Sequence, residues 1–183
     1  MDLTIIIATF GDPTWTVLAN RTAVPSTMAQ PDCRIIVEHG ETLARARNAG
    51  AAKASTRWLV FLDADDTIDP GYAQAILDGT GDLRVPTLYE GGELNWGLNG
   101  REMEQVNRCP IGTGIERERF MDCGGFPEFR AWEDWALFLR AHRRGAVIGS
   151  ASGAVYRAAV RPDSRNRTVR DARALHAEIR AWA

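Results

Sequence analysis

In Trp58-Leu59-Val60-Phe61-Leu62-Asp63-Ala64-Asp65-Asp66-Thr67, five apolar residues end abruptly in three carboxylates within four positions. The apolar run is short and rich in β-formers. It reads as a buried strand of a parallel-type sheet. The carboxylates then fall in the loop at the strand's carboxyl end, where open α/β sheets place ligands. Two carboxylates repel by roughly 1–4 kcal/mol at ~4 Å, depending on the dielectric. Three of them beside a core strand call for a cation to offset that cost. Hard oxygens suit Mg²⁺ or Mn²⁺, and Mg²⁺ shares its ligands readily with phosphates. A solvated acidic turn that merely starts the next helix is the plainer alternative.

Working toward the N-terminus, Thr42 to Ala54 is Ala-rich and helical, with Gly50 on the face that carries Leu43, Ala46 and Ala54. Glycine inside a helix costs ~1 kcal/mol against alanine, which a close helix–sheet approach would explain. Arg34 to Glu38 is a second strand with an acid, Glu38, at its carboxyl end. Leu3 to Ala8 is a first strand, followed by Thr9-Phe10-Gly11 and by Asp12-Pro13, a helix start with Asp as N-cap and Pro at the first helical position. Asp69-Pro70 repeats that start. The first 80 or so residues therefore read β-α-β-α-β-α, a doubly wound α/β beginning.

Downstream the pattern is less regular. Asp82 to Leu88 reads as a strand that Pro86 weakens or places at an edge. Glu90 to Gly100 reads as a long loop or hairpin, with Trp96 as a packing or stacking aromatic. Cys109 to Ile115 reads as a strand of small residues, and Glu116 to Met121 as a helical turn closed by Gly124-Gly125-Phe126-Pro127. Trp132-Glu133-Asp134-Trp135 opens the strongest helix of the second half, with Arg140, Arg143 and Arg144 suited to its C-terminal dipole. Ala146 to Ile148 and Ala154 to Tyr156 read as two short strands. A last helix from about Thr168 carries Val169, Ala172, Leu175 or His176, Ile179 and Trp182 on one face.

The whole chain of 183 residues suits one domain. Its net charge of −2 does not point to nucleic acid. Seven arginines and three acids between Arg157 and Arg180 make that segment locally basic. Three cysteines, an odd number without metal-ligand spacing, suit small core positions in a reducing compartment. With no apolar run near the ~20 residues of a membrane helix, and a first strand starting almost at Met1, the expectation is a cytoplasmic protein without a signal peptide or membrane span.

The blocks Ala46-Arg47-Asn48-Ala49-Gly50, Phe61-Leu62-Asp63-Ala64-Asp65-Asp66, Gly124-Gly125-Phe126 and Glu133-Asp134-Trp135 with Leu139-Arg140 together resemble a family 2 glycosyltransferase. The resemblance implies an α/β fold: a single-domain Rossmann-like mixed sheet flanked by helices, the A-type glycosyltransferase fold. It divides the chain into a nucleotide-binding half (1–88), an acceptor and catalytic half (89–156) and an Arg-rich C-terminal segment and helix (157–183). It implies an inverting, metal-dependent transfer of a sugar from a UDP- or GDP-linked donor to an acceptor hydroxyl, with Mn²⁺ or Mg²⁺. Residue by residue, Thr9, Phe10, Glu38, Arg47 and Asp63 match donor-binding positions. Asp63 and Asp65 match the D-x-D pair that holds ribose and metal. Asp134, with Glu133 beside it, matches the catalytic base.

The departures are specific. Ala8-Thr9-Phe10-Gly11 lacks the Pro and Asn usual in that loop, and Glu38-His39-Gly40 is a reduced acidic loop. Arg161 stands near a position where many members carry a metal-site histidine. That puts a protein-derived third ligand in doubt and makes Arg157, Arg161 or Arg165 candidate diphosphate contacts. The acceptor, nucleic acid included, and self-association stay open.

Three other readings compete. Asp63-Ala64-Asp65-Asp66-Thr67 also fits the D-x-D-x-T signature of haloacid-dehalogenase-like phosphatases, with Asp63 as nucleophile. Those enzymes need a downstream lysine and place this strand first; here the sole lysine, Lys53, lies upstream and two β-α units precede. A non-catalytic nucleotide-sugar-binding module would not need both acid pairs. A nucleotidyltransferase would want a basic, glycine-rich loop after the first strand.

Overall fold

The computed structural model describes residues 1–94, 102–162 and 168–183. Trp96, Arg165 and residues 95–100 of the loop expected from Glu90 to Gly100 lie outside these residues.

The first half follows the β-α alternation. Strands β1 (Leu3–Phe10), β2 (Cys33–Gly40) and β3 (Trp58–Asp63) are joined by helices α1 (Thr14–Arg21), α2 (Ala23–Met28) and α3 (Leu43–Lys53). Both neighbours of β1 are parallel to it, Ile5 lying opposite Ile35 and Val60. The apolar runs of β1 and β3 are fully covered, as strands buried on both faces must be. Thr42 caps α3, its hydroxyl accepting from the Arg45 amide at 3.2 Å. A Cβ placed on Gly50 would fall 2.5 Å from Ile6 Cγ2. The helix–sheet approach expected from that glycine is therefore present, and a larger residue would push α3 off β1.

The second half departs from regular winding. The two-residue strand β4 (Thr67–Ile68) is followed by α4 (Tyr72–Asp78), β5 (Leu83–Glu90), β6 (Glu93–Leu94), β7 (Gly114–Glu116), α5 (Arg117–Asp122), α6 (Glu133–Arg143), β8 (Ile148–Ala158) and α7 (Ala172–Trp182). Among the described residues they complete one mixed sheet in the order β2-β1-β3-β7-β5-β8-β4, with β6 paired to β5. The helices flank it.

Several sequence expectations change here. Pro86 lies past the last β5–β7 pair, at Arg84, so among the described residues β5 has only β8 beside it there, and the β5–β8 register shifts between Pro86 and Thr87. A bulge is the other place where a strand tolerates a residue without an amide proton. The two short strands expected between Ala146 and Tyr156 are one, β8 (Ile148–Ala158), because β8 absorbs the extra residues of that shift. The expected strand from Cys109 shrinks to Gly114–Glu116, since Pro110 to Thr113 forms a turn whose Gly112 carbonyl accepts from Tyr72 Oη at 2.5 Å. The last helix starts at Ala172, not Thr168, and buries Leu175 and Ile179 against the body as its apolar face requires. Its Trp182 stacks under the Arg140 guanidinium, 3.4 Å from the ring centroid.

Side-chain ties join the halves. Asn48 on α3 donates to the Phe126 carbonyl and accepts from the Phe126 amide, both at 2.9 Å. This clamp needs Gly125, whose φ of +72° is left-handed and whose Cβ would fall 2.5 Å from Asn48 Oδ1. Asp66, after β3, is buried. It accepts from Tyr156 Oη of β8 at 2.6 Å and from the Ala159 amide at 2.7 Å. Burial, with repulsion from Asp63 and Asp65, pushes its carboxyl up to about 8 against those two bonds.

Asn48→Ala is expected to destabilise the fold by about 2–3 kcal/mol, since it leaves two backbone groups of Phe126 without partners; a urea midpoint unchanged from the parent would contradict the clamp. Asp66 carries a proton in the folded state that the unfolded chain releases between pH ~4 and ~8. Its contribution therefore weakens stability as pH rises through that window, by up to about 1.4 kcal/mol per pH unit. Asp66→Asn is expected to flatten this slope, measured as urea denaturation at pH 5 and pH 8.

Candidate active site

The carboxyl ends of β1 and β3, the start of α6 and the end of β8 enclose a cleft of about 410 Å³. Ala8, Thr9 and Phe10 line it from β1, and Asp63 to Asp66 from β3 and its loop. Arg47 enters from α3, Glu133 and Asp134 from α6, and Arg161 from beyond β8. Leu88, Glu90, Asn107, Ile111 and Trp132 form its other side. Parallel strands leave this edge open because their helices return on the faces.

The centre of the cleft floor is an arginine. The Arg47 side chain is 3% exposed, and its Nη2 meets Asp63 Oδ1 at 2.5 Å while its Nη1 meets Glu133 Oε1 at 2.7 Å. The guanidinium also lies over the Phe126 ring, 5.0 Å from the centroid. Burial pulls the arginine's proton affinity down, but Asp63 and Glu133 raise it more, so it stays charged. Glu133 is buried too.

Asp134, one residue on, is only partly buried and faces the cleft. Its Oδ2 accepts from Asn107 Nδ2 at 2.8 Å and its Oδ1 from the Trp135 amide at 2.9 Å. Burial and the neighbouring Glu133 raise its carboxyl to about 7, with Arg47 acting the other way. A carboxyl near neutrality can exchange a proton at working pH. The residue before this pair, Trp132, has φ +56°, which is rare for a bulky side chain. Its ring packs edge-on to His176 of α7, with centroids 4.6 Å apart.

The three acids after β3 have separate surroundings. Asp63 is bound to Arg47 and Asp66 to Tyr156. Asp65 faces the cleft, with Arg161 Nε 4.0 Å from its Oδ2, and the Arg161 guanidinium lies over Trp15 at 5.1 Å. Thr9 Oγ1 is 3.0 Å from His39 Nδ1 and 3.1 Å from Thr16 Oγ1.

Of the residues expected from sequence, the cleft therefore brings together Thr9, Phe10, Arg47, Asp63, Asp65, Glu133, Asp134 and Arg161. Glu38 is not among its lining. It points to the α3 side of β2 and pairs with Lys53 at 2.5 Å. Arg157 is also directed elsewhere, to Asp69 at 2.6 Å and over the Tyr89 ring. Asn107, Trp15 and Trp132 are cleft residues that sequence reasoning missed. Asn107 lies in an irregular segment where no periodicity marks it, whereas Trp132 could have been flagged by its place before Glu133-Asp134.

Among the described residues, no group of three His, Cys, Asp or Glu forms a ready cation cage, and no helix is long and apolar enough to cross a membrane. The donor set that faces the cleft is hard carboxylate oxygen from Asp65 and Asp63. That suits a Mg²⁺ or Mn²⁺ ion that takes one or two protein carboxylates and completes its shell from substrate phosphates and water.

No curated protein matches the chain. The model of the family described as "Glycosyl transferase family 2" matches residues 8–84, which hold Thr9, Phe10, Arg47, Asp63 and Asp65. Among solved structures, S. aureus TarS 1–349 in complex with UDP-GlcNAc matches with a TM-score of 0.68 and 16% identity, covering 92% of this chain and 61% of that one. The same TarS fragment in complex with UDP matches with a TM-score of 0.65 and 16% identity, over 88% of this chain and 61% of that one. A longer TarS structure matches with a TM-score of 0.65 and 18% identity, over 89% of this chain and 37% of its own. The chain thus spans about three-fifths of the shorter TarS fragment, and at this identity the likeness is one of fold. Residues 8–84 carry the sequence pattern of glycosyl transferase family 2, and the chain around them has the A-type glycosyltransferase fold.

Proposed function

We propose that this protein is an inverting glycosyltransferase that takes a sugar from a nucleoside-diphosphate donor and gives it to an acceptor hydroxyl. The observation that carries the reading is the convergence of Thr9 and Phe10, Asp63 and Asp65, and Asp134 on one cleft at the strand carboxyl ends. UDP and UDP-GlcNAc are bound by TarS, and a uridine donor is the first candidate here.

In this reading the 1–88 half holds the nucleotide and the 89–156 half holds the acceptor and the base. Thr9 and Phe10 line the base and ribose end. Asp65, with Asp63, would hold a Mg²⁺ or Mn²⁺ ion, which when bound offsets the charge on the leaving diphosphate. Arg161, beside Asp65, would add charge-assisted hydrogen bonds to the same phosphates. Arg47, which lines the same cleft, fixes Asp63 and Glu133 through one bond from each terminal nitrogen. That leaves Asp134 as the base. Its Oδ2 is oriented by Asn107, and it would take the acceptor proton as the hydroxyl oxygen attacks the anomeric carbon opposite the diphosphate. A single in-line displacement needs no enzyme nucleophile and inverts that carbon.

A panel of nucleotide sugars, assayed with and without Mn²⁺, tests the reading; cleavage of simple phosphate esters with no turnover of nucleotide sugars would overturn it. Asp65→Ala is expected to lose metal-dependent donor binding in calorimetry. Asp134→Asn is expected to bind donor nearly as the parent does while turnover falls by about 10²–10⁴-fold. Because the base must be ionised, kcat/KM should fall about tenfold per pH unit below pH ~7 and level off above it. A flat profile down to pH ~5 would remove Asp134 from that role.

A further inference from the structure

We infer that β2 is a self-pairing edge, through which two copies of this chain join their sheets across a two-fold axis at Ile36. Among the described residues, β2 pairs only with β1 and ends the sheet, whereas the opposite edge is the two-residue β4. An eight-residue edge strand of sequence Cys33-Arg-Ile-Ile-Val-Glu-His-Gly40 is long, unbroken by proline and rich in β-branched residues. Such an edge is a template for another strand unless something blunts it. Ile35 and Ile36 are only partly covered, and Val37 is 42% exposed.

Charged residues usually blunt an edge, but here they are arranged to select a partner. Arg34 and Glu38 lie two residues either side of Ile36 and carry opposite charge. In an antiparallel pair centred on Ile36, each Arg34 stands across from Glu38 of the other copy, and Ile36 meets Ile36. These sit on the α3 side of the strand, where Arg34 already bonds Ser55 Oγ at 2.9 Å and Glu38 pairs with Lys53. On the other side Ile35 meets Val37, twice. Directly opposed charges and β-branched pairs are the stabilising cross-strand combinations.

Neighbouring registers lose this match. Centring on Ile35 sets Asp32 against Glu38 and Arg34 against Ile36; centring on Val37 sets Glu38 against Ile36 and Ile35 against His39. Only the Ile36 register pairs charge with opposite charge and apolar with apolar, which is what fixes a register. A two-fold axis makes the contact isologous and closed, so it yields a dimer rather than a fibre. The occupant is therefore a second copy of this chain. The inference does not depend on the catalytic reading.

Sedimentation of the purified chain over a concentration series tests it. The parent is expected to dimerise reversibly. Arg34→Glu puts Glu across from Glu, and Glu38→Arg puts Arg across from Arg, so each variant alone is expected to dimerise at least about tenfold more weakly. Their equimolar mixture restores both opposite pairs and is expected to recover the dimer as a heterodimer, which also guards against a variant that is merely misfolded. A parent that stays monomeric, a dimer indifferent to either reversal, or a mixture that stays dissociated while circular dichroism shows both variants folded would each overturn the proposal.

Discussion

The Arg47 guanidinium is held inside the protein by Asp63 on one side and Glu133 on the other, and most of the cleft depends on that arrangement. A charge this deep costs several kcal/mol to desolvate, and only close opposite charges with good geometry repay it. Two carboxylates from distant parts of the chain do so here. Removing one partner from such a network typically costs about 3–5 kcal/mol, because the remaining charges stay buried. Arg47 thereby fixes the spacing between the end of β3 and the start of α6. That is the spacing between the acids that end β3 and Asp134 across the cleft.

The same region explains why the sequence blocks travel together. Phe126 lies beneath Arg47 and has its backbone clamped by Asn48. Its ring meets Phe61 of β3 edge-on, with centroids 4.7 Å apart, and Phe120 closes the cluster at 5.6 Å. Ala-Arg-Asn, the Phe-Leu-Asp strand end, Gly-Gly-Phe and Glu-Asp are therefore not four separate signatures. They are the four sides of one packed and charged junction. Glu133 serves that junction, which frees Asp134 for the cleft. Two adjacent acids divide their work because successive helix positions point about 100° apart.

The first half of the fold was legible because its signals are local. Apolar β-branched runs, an N-cap threonine and a helical glycine each state their own geometry, and the sheet edge that gathers the site follows from parallel order. The second half was less so. Pro86 sits past the end of β7 and beside a bulge shared with β8, and a bulge is a property of two strands that neither sequence displays alone. Glu38 shows the same limit at one side chain. Its place at the carboxyl end of β2 suggested the cleft, yet alternation along the strand turns it toward Lys53, and the register that decides this is visible only once the strand bounds are known.

The three acids after β3 carry the lesson furthest. As a sequence they are a run of like charge that asks for one explanation, a cation. In the fold each has its own. Asp63 is neutralised by a buried arginine, Asp66 is bound to a tyrosine with its carboxyl near pH 8, and Asp65 faces the cleft beside Arg161. The repulsion that seemed to require a metal is thus partly met by the protein itself, and a divalent ion would share the half-buried carboxylates of Asp65 and Asp63 with whatever phosphates arrive with it. This also weighs against reading Asp63-Ala64-Asp65 as a phosphatase pair. A carboxylate already gripped by a buried guanidinium is a poor nucleophile, because its charge is satisfied and its geometry is fixed before any substrate enters.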